Sequence, residues 1–116
     1  MLQMSNTGRL LAYLDAYARK DLVAVGTMFA DDVTLRDWNL AVRGKAAALA
    51  ETAKNFSAAG ALAIEALGIY ADGDTVAAEL TITIDGQVDL RVVDVISFDR
   101  DGRIRSIRAY LGRAGE

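Results

Sequence analysis

The sequence predicts an α+β fold in which three N-terminal helices lie on one face of an antiparallel sheet. Apolar residues recur at helical spacing up to residue 56, and the remaining chain consists of runs rich in Val, Ile, Leu and Thr. The pairs Asp72-Gly73, Asp85-Gly86 and Asp101-Gly102 separate these runs, and Asp-Gly between apolar runs is a strong hairpin signal. Helices followed by an antiparallel sheet indicate one α+β domain over residues 1–116.

The N-terminal half has the spacing of three helices, over residues 7–19, 21–30 and 45–56. Polar residues 5–7 can cap the first helix, and Asp21 is the expected N-cap of the second. The third helix is predicted from its high alanine content. The buried sides of the first two helices are expected to be Leu10, Tyr13, Leu14 and Tyr17, and then Leu22, Val25, Met28 and Phe29.

Five strands complete the prediction. The stretch VTLRD at 33–37 forms the first strand, and Ala30-Asp31-Asp32 makes the turn that leads into it. Four longer runs follow, at residues 61–71, 75–85, 88–99 and 103–111. Because an Asp-Gly pair joins each of these runs to the next, the four strands are expected to form an antiparallel meander.

The composition excludes several kinds of chemistry. The chain has neither Cys nor His, which excludes disulfides, thiolate nucleophiles, cysteine-ligated metals and Ser-His-Asp machinery. Acid–base chemistry must then come from Asp, Glu, Tyr, Lys or water. The sequence has no glycine-rich phosphate loop, so no cofactor is expected, and two carboxylates alone make a poor metal site.

The charge and the N-terminal residues bear on partners and location. A formal net charge of −3 gives no general attraction to nucleic acid or to anionic membranes. The start, MLQMSNTGR, lacks the basic and apolar regions of a signal peptide, and no apolar run approaches the roughly 20 residues of a membrane span. We therefore expect a soluble cytoplasmic protein that binds neither nucleic acid nor membrane.

Two aspartates fall on strand faces that are predicted to point inward. Side chains alternate along a strand, so Asp37 shares a face with Val33 and Leu35, and Asp94 points inward among large apolar neighbours. These neighbours are Leu90, Val92, Ile96 and Phe98. An ionised carboxylate in such surroundings is costly unless it is paired, so the pKa of Asp94 is expected to rise.

Each of these residues also has a purely structural explanation. Asp37 can cap a turn at the strand end, where Asp is common. Asp94 can be a buried hydrogen-bond acceptor or can bond to the hydroxyl of Tyr17, and Tyr13 at helical spacing can be plain core. Asp in the middle of a strand is disfavoured, so Asp94 indicates a functional site more strongly than Asp37 does.

Four stretches together are similar to a known family: AYLDAYARKDL (12–22), MFADDVTLRD (28–37), VRGKAAA (42–48) and VDVISFDRDGRIRSIRAYLG (93–112). Through them, and over nearly its whole length, the chain resembles the ketosteroid isomerase branch of the nuclear transport factor 2-like superfamily. That superfamily also contains SnoaL-like polyketide cyclases. The resemblance implies that the sheet is curved into a cone and that the three helices cover its concave face.

The isomerase branch is marked by a tyrosine in the first helix, an aspartate that ends the first strand, and an aspartate within the third long strand. In this sequence these positions fall on Tyr13, Asp37 and Asp94. The resemblance implies that Asp37 is the ionised base, which takes a proton from carbon next to a ketone and returns it two carbons further along. It also implies that Tyr13 and a protonated Asp94 donate hydrogen bonds to the dienolate oxygen.

The chain departs from the isomerase pattern close to these residues. Trp38 stands where proline is typical, and the segment from Trp38 to Gly44 is slightly shorter than its counterpart. Thr52 occupies the position of a tyrosine that usually supports the oxyanion tyrosine, and Tyr17 is the candidate to replace it. Trp38 and Asn39 at the mouth would reshape the cavity for a smaller or more polar ligand. The pocket for a hydrophobic small-molecule substrate is predicted to include Tyr17, Phe29, Trp38 and Asn39.

Other functions fit the same fold. A SnoaL-like polyketide cyclase would use a similar pocket and one acid–base aspartate for an aldol closure. A non-catalytic dimer that binds a small molecule is a further alternative, since a fold does not fix a function. An epoxide hydrolase would need an Asp-Arg-Asp set, and Arg91 lies on the strand face opposite to Asp94.

The sheet face away from the helices is expected to carry Val93, Val95, Ile107 and Leu111 among charged residues. Leaving these side chains in water is unfavourable, so we expect a homodimer packed sheet to sheet. The arginines near the C-terminus fall on both faces of a strand, which favours a solvated strand with subunit contacts over a nucleic-acid site.

Overall fold

The computed structural model describes residues 4–113, which form three helices and six strands. The helices are α1 (Asn6–Ala18), α2 (Leu22–Met28) and α3 (Lys45–Ala58). The strands are β1 (Phe29–Arg36), β2 (Ala41–Arg43), β3 (Leu62–Asp72), β4 (Thr75–Ile84), β5 (Val88–Phe98) and β6 (Ile104–Leu111). The predicted α+β class is confirmed. Within residues 4–113, no helix combines the length and the hydrophobicity that a membrane span needs.

Side-chain caps fix where the first two helices begin. Ser5 Oγ accepts a hydrogen bond from Gly8 N at 3.0 Å, and Asp21 Oδ1 accepts one from Ala24 N at 3.0 Å. Each cap satisfies a backbone N–H that has no partner within its helix. The prediction of Asp21 as the N-cap of the second helix is therefore confirmed.

Residues 30–32 do not form the predicted turn. Helix α2 ends at Met28, and the chain continues into β1 through Phe29, whose backbone is extended. The register of β1 against β6 shifts between Phe29 and Thr34. Residues 30–32 therefore belong to an irregularity within a strand, and the polar residues that suggested a turn accommodate a local change of twist instead.

The strands lie in the order β2-β1-β6-β5-β4-β3 in one curved, unclosed sheet. Strands β3 to β6 form the predicted antiparallel meander. Strand β1 pairs with β6 in parallel, however, so the sheet is mixed where a wholly antiparallel one was expected. Parallel neighbours need a long connection, and α3 together with the meander supplies it. Strand β2 has three residues, too few for a sequence pattern to indicate it.

The turn between β4 and β5 has the geometry that its Asp-Gly pair predicts. Asp85 and Gly86 both have positive φ, at 54° and 70°, which matches the twist of the flanking strands. The Asp85 carboxylate also accepts hydrogen bonds from Gly60 N at 3.3 Å and Ala61 N at 2.7 Å. These bonds tie the tip of the hairpin to the segment that leads into β3.

The core lies between the helices and the inner face of the sheet. Its largest buried side chains include Phe29, Phe98, Leu10, Leu80, Ile96, Ile104 and Ile107. On β5 the predicted alternation is confirmed, because Val92, Ile96 and Phe98 are buried against the helices while Val93 is exposed on the opposite face. The same alternation turns Asp94 towards the inside.

The prediction that Ile107 and Leu111 face outward is wrong. Ile107 pairs with Ile96 and is buried, and Leu111 pairs with Val92, so both lie on the inner side of the sheet. Strand β6 carries Arg105 as an extra residue where its register against β5 shifts. Because side chains alternate with a period of two, this bulge reverses the faces of every residue that follows it.

Strand β3 forms one edge of the sheet and contains a bulge as well. Its register against β4 shifts between Ala66 and Gly68, which leaves Leu67 as the extra residue. The Leu67 side chain is exposed. The three-residue strand β2 forms the other edge.

Candidate active site

A cavity of about 280 Å³ opens between the helices and the inner face of the sheet. Its wall is mostly aliphatic, with Leu14, Leu35, Leu40, Leu62, Ile64, Leu80, Ile82, Ile84, Leu90, Val92 and Ile107. Its polar members are Tyr13, Tyr17, Asp37, Asn39, Glu51, Thr52, Asn55 and Asp94. An apolar wall with a few polar groups is typical of a site for a small molecule.

Asp94 lies in the middle of β5 and lines this cavity. The sheet register places Ala78 of β4 and Ala109 of β6 beside it, so small side chains flank the carboxyl group and leave room for a ligand. Burial in these surroundings raises the pKa of Asp94 to about 7. At neutral pH the carboxyl group is therefore protonated in a large share of the molecules and can donate a hydrogen bond.

Tyr13 lines the same cavity from α1 and is only 4% exposed. Burial raises the pKa of Tyr13 well above its usual value, and the charge of Asp94 and the neighbouring Tyr17 add to the effect. The hydroxyl of Tyr13 therefore keeps its proton and is a hydrogen-bond donor.

Phe29 does not lie in the predicted pocket. It is fully buried and is not among the described residues that line the cavity. Its ring packs against that of Tyr13, with the ring centroids 6.2 Å apart. Phe29 begins β1, whereas Asp37 follows the other end of the same strand, so Phe29 supports Tyr13 from the core side.

Asp37 follows the last residue of β1 and has two environments. Its Oδ1 accepts hydrogen bonds from Asn39 N at 2.7 Å and Leu40 N at 3.0 Å, so the turn-capping alternative is confirmed. The residue also lines the cavity, and no described residue forms a hydrogen bond to Oδ2 or a salt bridge to the carboxylate. The cap holds the carboxylate in one orientation and leaves Oδ2 available as a proton acceptor.

Tyr17 lines the cavity one helical turn after Tyr13, and the two ring centroids are 5.9 Å apart. Its hydroxyl accepts a hydrogen bond from Asn55 Nδ2 of α3 at 3.1 Å. Asn55 is not among the site residues that the sequence predicts. One signal was available, because Asn55 lies three residues after Thr52 and next to Phe56, at the border of the buried side of α3.

Thr52 cannot replace a tyrosine that supports Tyr13. It is buried and lines the cavity, but its hydroxyl donates a hydrogen bond to Ala48 O of its own helix at 2.8 Å. That bond satisfies the hydroxyl within α3. The tyrosine that does lie next to Tyr13 is Tyr17, as the sequence suggested.

The rim and the charges of the cavity bear on what can enter. Trp38, 44% exposed, and the exposed Asn39 both line the cavity, which places them at its rim. Asp37, Glu51 and Asp94 contribute carboxyl groups, whereas the described lining contains no Lys or Arg. A cavity with acidic groups and no cation disfavours anionic ligands.

Together these residues provide a definite set of chemical groups. One carboxylate with a free oxygen and two groups that can donate a hydrogen bond, the Tyr13 hydroxyl and the protonated form of Asp94, line a mostly aliphatic cavity. Such a set can accept a proton from a ligand and stabilise an oxyanion on it.

Known proteins are similar to this chain in sequence and in structure. A curated steroid Δ-isomerase from Nocardioides simplex is 35% identical over 103 residues, which cover 84% of this chain and 82% of the relative. A putative ketosteroid isomerase from Kribbella flavida matches the structure with a TM-score of 0.82 and 18% identity, over 96% of this chain and 80% of that one.

Two further solved structures are similar. A putative polyketide cyclase from Sinorhizobium meliloti has a TM-score of 0.79 and 21% identity, over 91% of this chain and 99% of that one. An LEH-like epoxide hydrolase from M. tuberculosis has a TM-score of 0.76 and 25% identity, over 90% and 80% of the two chains. The model of the SnoaL-like domain matches residues 10–107. The chain belongs to the SnoaL-like family of the nuclear transport factor 2-like superfamily.

Proposed function

We propose that the protein is a cofactor-independent Δ-isomerase of the ketosteroid isomerase type, which moves a double bond by proton transfer next to a ketone. The observation that carries the proposal is that Tyr13, Asp37 and Asp94 line one mostly aliphatic cavity. The likeness to a curated steroid Δ-isomerase supports the same reaction class. The substrate would be a neutral β,γ-unsaturated ketone that is largely apolar.

In the first step, the free oxygen of the Asp37 carboxylate takes a proton from the carbon between the ketone and the double bond. The C–H bond breaks, an O–H bond forms on Asp37, and the electron pair moves onto the ketone oxygen to give a dienolate. In the second step, Asp37 returns the proton to the carbon two positions further along. The product is the conjugated ketone, and Asp37 is again a carboxylate.

The dienolate oxygen would receive hydrogen bonds from Tyr13 and from neutral Asp94. Burial disfavours the charged forms of both groups, so Tyr13 keeps its proton and Asp94 holds one in a large share of the molecules at neutral pH. Donors that are already oriented stabilise a developing oxyanion more in the transition state than in the ketone, and this difference lowers the barrier. Asp37 would act from the turn that its other oxygen caps, which limits the motion of the base between the two carbons.

The experiment follows the absorbance that appears when the double bond becomes conjugated, with a panel of steroidal and small cyclic β,γ-unsaturated ketones. Asp37→Asn keeps the size of the side chain but removes the proton acceptor, so the rate should fall by about 10²–10⁴-fold. Binding of a phenolic mimic of the dienolate should survive, since Tyr13 and Asp94 remain. Asp32→Asn is the matched control, because Asp32 is an exposed aspartate of β1, the strand that leads to Asp37.

If the protein isomerises none of these ketones faster than buffer alone, the isomerase proposal is refuted. Mimic binding without turnover would then favour a SnoaL-like domain that only binds a small molecule. Release of a cyclised product from a poly-β-ketone would favour an aldol cyclase of the polyketide type.

A further inference from the structure

Tyr17 is a polar group of the cavity that the proposed proton transfer does not use. The reacting oxygen is held by Tyr13 and Asp94, and the proton is carried by Asp37. Tyr17 nevertheless lines the same cavity, one helical turn further along α1. Its presence therefore calls for a separate role.

The ring of Tyr17 is held on two sides. It packs edge to face against Phe56, with the ring centroids 4.9 Å apart at 76°, and against Tyr13 at 5.9 Å. Contacts of this kind favour one ring orientation. The direction of the hydroxyl is thus fixed before a ligand arrives.

The hydroxyl proton of Tyr17 has no acceptor among the described residues. Its oxygen accepts the Asn55 amide at 3.1 Å, and a tyrosine hydroxyl carries one further proton to donate. Burial raises the pKa of Tyr17, the Asn55 hydrogen bond lowers it, and the charges of Asp94 and Asp37 raise it again. The hydroxyl therefore keeps its proton, and Tyr17 lines the space that a ligand would occupy.

The size and charge of the cavity restrict what that ligand can be. A volume of about 280 Å³ lies just below the roughly 300–1,000 Å³ of pockets that enclose drug-sized molecules. Asp37, Glu51 and Asp94 line it without a Lys or Arg among the described lining residues. The enclosed part of the ligand is therefore expected to be neutral and compact.

We infer that Tyr17, positioned by Asn55, is a specificity-determining donor that binds a second oxygen of the substrate. The substrate class is a small neutral ketone that carries a further hydroxyl or carbonyl group away from the reacting carbonyl. This inference rests on the proposed function, since it takes Tyr13 and Asp94 as the holders of the first oxygen. A ketone with a single oxygen would not form this hydrogen bond with Tyr17, so it would bind less tightly than a ketone with a second oxygen in reach.

The test compares naphthol, which has one hydroxyl, with the naphthalenediols that carry a second hydroxyl on the other ring. Dissociation constants are measured by calorimetry at a pH well below the phenol pKa of about 10. The unmutated protein should bind at least one diol about threefold to tenfold more tightly than naphthol, the effect of one neutral hydrogen bond. Tyr17→Phe keeps the ring contacts, so it should remove this preference and leave naphthol binding unchanged.

Three further variants sharpen the result. Tyr13→Phe should weaken naphthol and diol alike, because it removes the donor to the first oxygen. Asn55→Leu should lower the ratio of diol affinity to naphthol affinity, whereas a loss of packing alone would weaken the binding of both ligands alike. Tyr70→Phe, which removes the hydroxyl of an exposed tyrosine on β3, is the matched control and should change nothing.

The outcomes separate this inference from the proposed function. If naphthol binds in a Tyr13-dependent way but no diol is preferred, or the preference survives in Tyr17→Phe, the role of Tyr17 is refuted and the isomerase proposal stands. If a diol binds in a Tyr17-dependent way while Tyr13→Phe has no effect, Tyr17 is upheld and the oxyanion role of Tyr13 fails. Absence of binding for all these phenols overturns both.

Discussion

At the scale of single residues, Asp94 lowers the stability of the fold that contains it. Its pKa is raised to about 7 by burial, whereas an aspartate in an unfolded chain titrates near 3.9. Below about pH 4 both states hold the proton, and the titration of this residue makes no contribution to the pH dependence of folding. Between about pH 4 and pH 7 the unfolded chain ionises first, so stability falls with rising pH by up to roughly 4 kcal/mol and is then constant.

Asp94→Asn removes this titration, so its stability advantage over the unmutated protein should be larger at pH 8 than at pH 4 by up to roughly 4 kcal/mol. Urea unfolding at the two pH values measures the difference. Asp89→Asn, at an exposed position of the same strand, is the control and should show no such growth. An equal effect of Asp94→Asn at both pH values would mean that the folded carboxyl group titrates normally.

The raised pKa of Asp94 also predicts how the catalytic rate depends on pH. If neutral Asp94 donates to the dienolate oxygen, kcat/KM for a neutral ketone should fall about tenfold per pH unit once the pH exceeds the Asp94 pKa of about 7. In Asp94→Asn, the amide is a donor that does not titrate. Its rate should therefore stay flat across the range where the unmutated rate falls, as steady-state assays at a series of pH values would show. A flat profile in both proteins would exclude Asp94 as the titrating donor.

The sequence is sufficient to bring Asp37 and Asp94 to one cavity, because the part of each strand that leads to them alternates regularly. Resemblance to the isomerase branch adds Tyr13 to the predicted site and assigns a role to each of the three residues. Neither strand alternation nor the resemblance indicates Asn55, because its contact with Tyr17 joins two helices that are far apart in the chain. Phe29 was misplaced for a related reason: helical spacing indicates which residues are buried, but not whether a buried ring meets a ligand or another side chain.

At the scale of secondary-structure elements, the helices follow from local rules, and their ends depend on side-chain caps. Asp21→Ala should lower the free energy of unfolding by about 1 kcal/mol, since it removes the cap that binds Ala24 N. Chemical denaturation measures the loss. Asp15→Ala is the control, because Asp15 forms only an exposed ion pair with Arg19, and such pairs contribute little. Equal losses in the two variants would show that the cap adds nothing beyond a surface charge.

The strands are less predictable than the helices where a bulge breaks the alternation. Arg105 is the extra residue of β6, and nothing in its identity distinguishes it from the arginines around it. A count of alternate positions therefore assigns Ile107 to the wrong face, although a side chain as hydrophobic as Ile is expected to be buried and only 2% of it is exposed. The hydrophobic side chain lies on the buried face of the sheet, and a shift in the register of β6 against β5 allows this.

At the scale of the whole molecule, the outer face of the sheet predicts self-association. Val93 and Tyr110 pair there and are 38% and 53% exposed, which leaves an apolar patch in water on a single chain. We expect a dimer packed through this face, with the light-scattering mass of two chains at micromolar concentration. Val93→Lys should produce monomers, whereas Ala63→Lys, on the outer face of the edge strand β3, should not. A mass of one chain for the unmutated protein would refute the dimer and leave the fold intact.

The bulge in β3 has a consequence for the protein at high concentration. An unclosed sheet exposes unpaired N–H and C=O groups along both edges, and a long flat edge is a template for strands of other molecules. Strand β2 offers only three residues, whereas β3 offers eleven and would be the more dangerous edge. The extra residue Leu67 interrupts this template near its middle and increases the local twist. An edge of that shape resists the in-register stacking that begins fibrillar aggregation, so the sheet can remain unclosed without becoming a seed for amyloid.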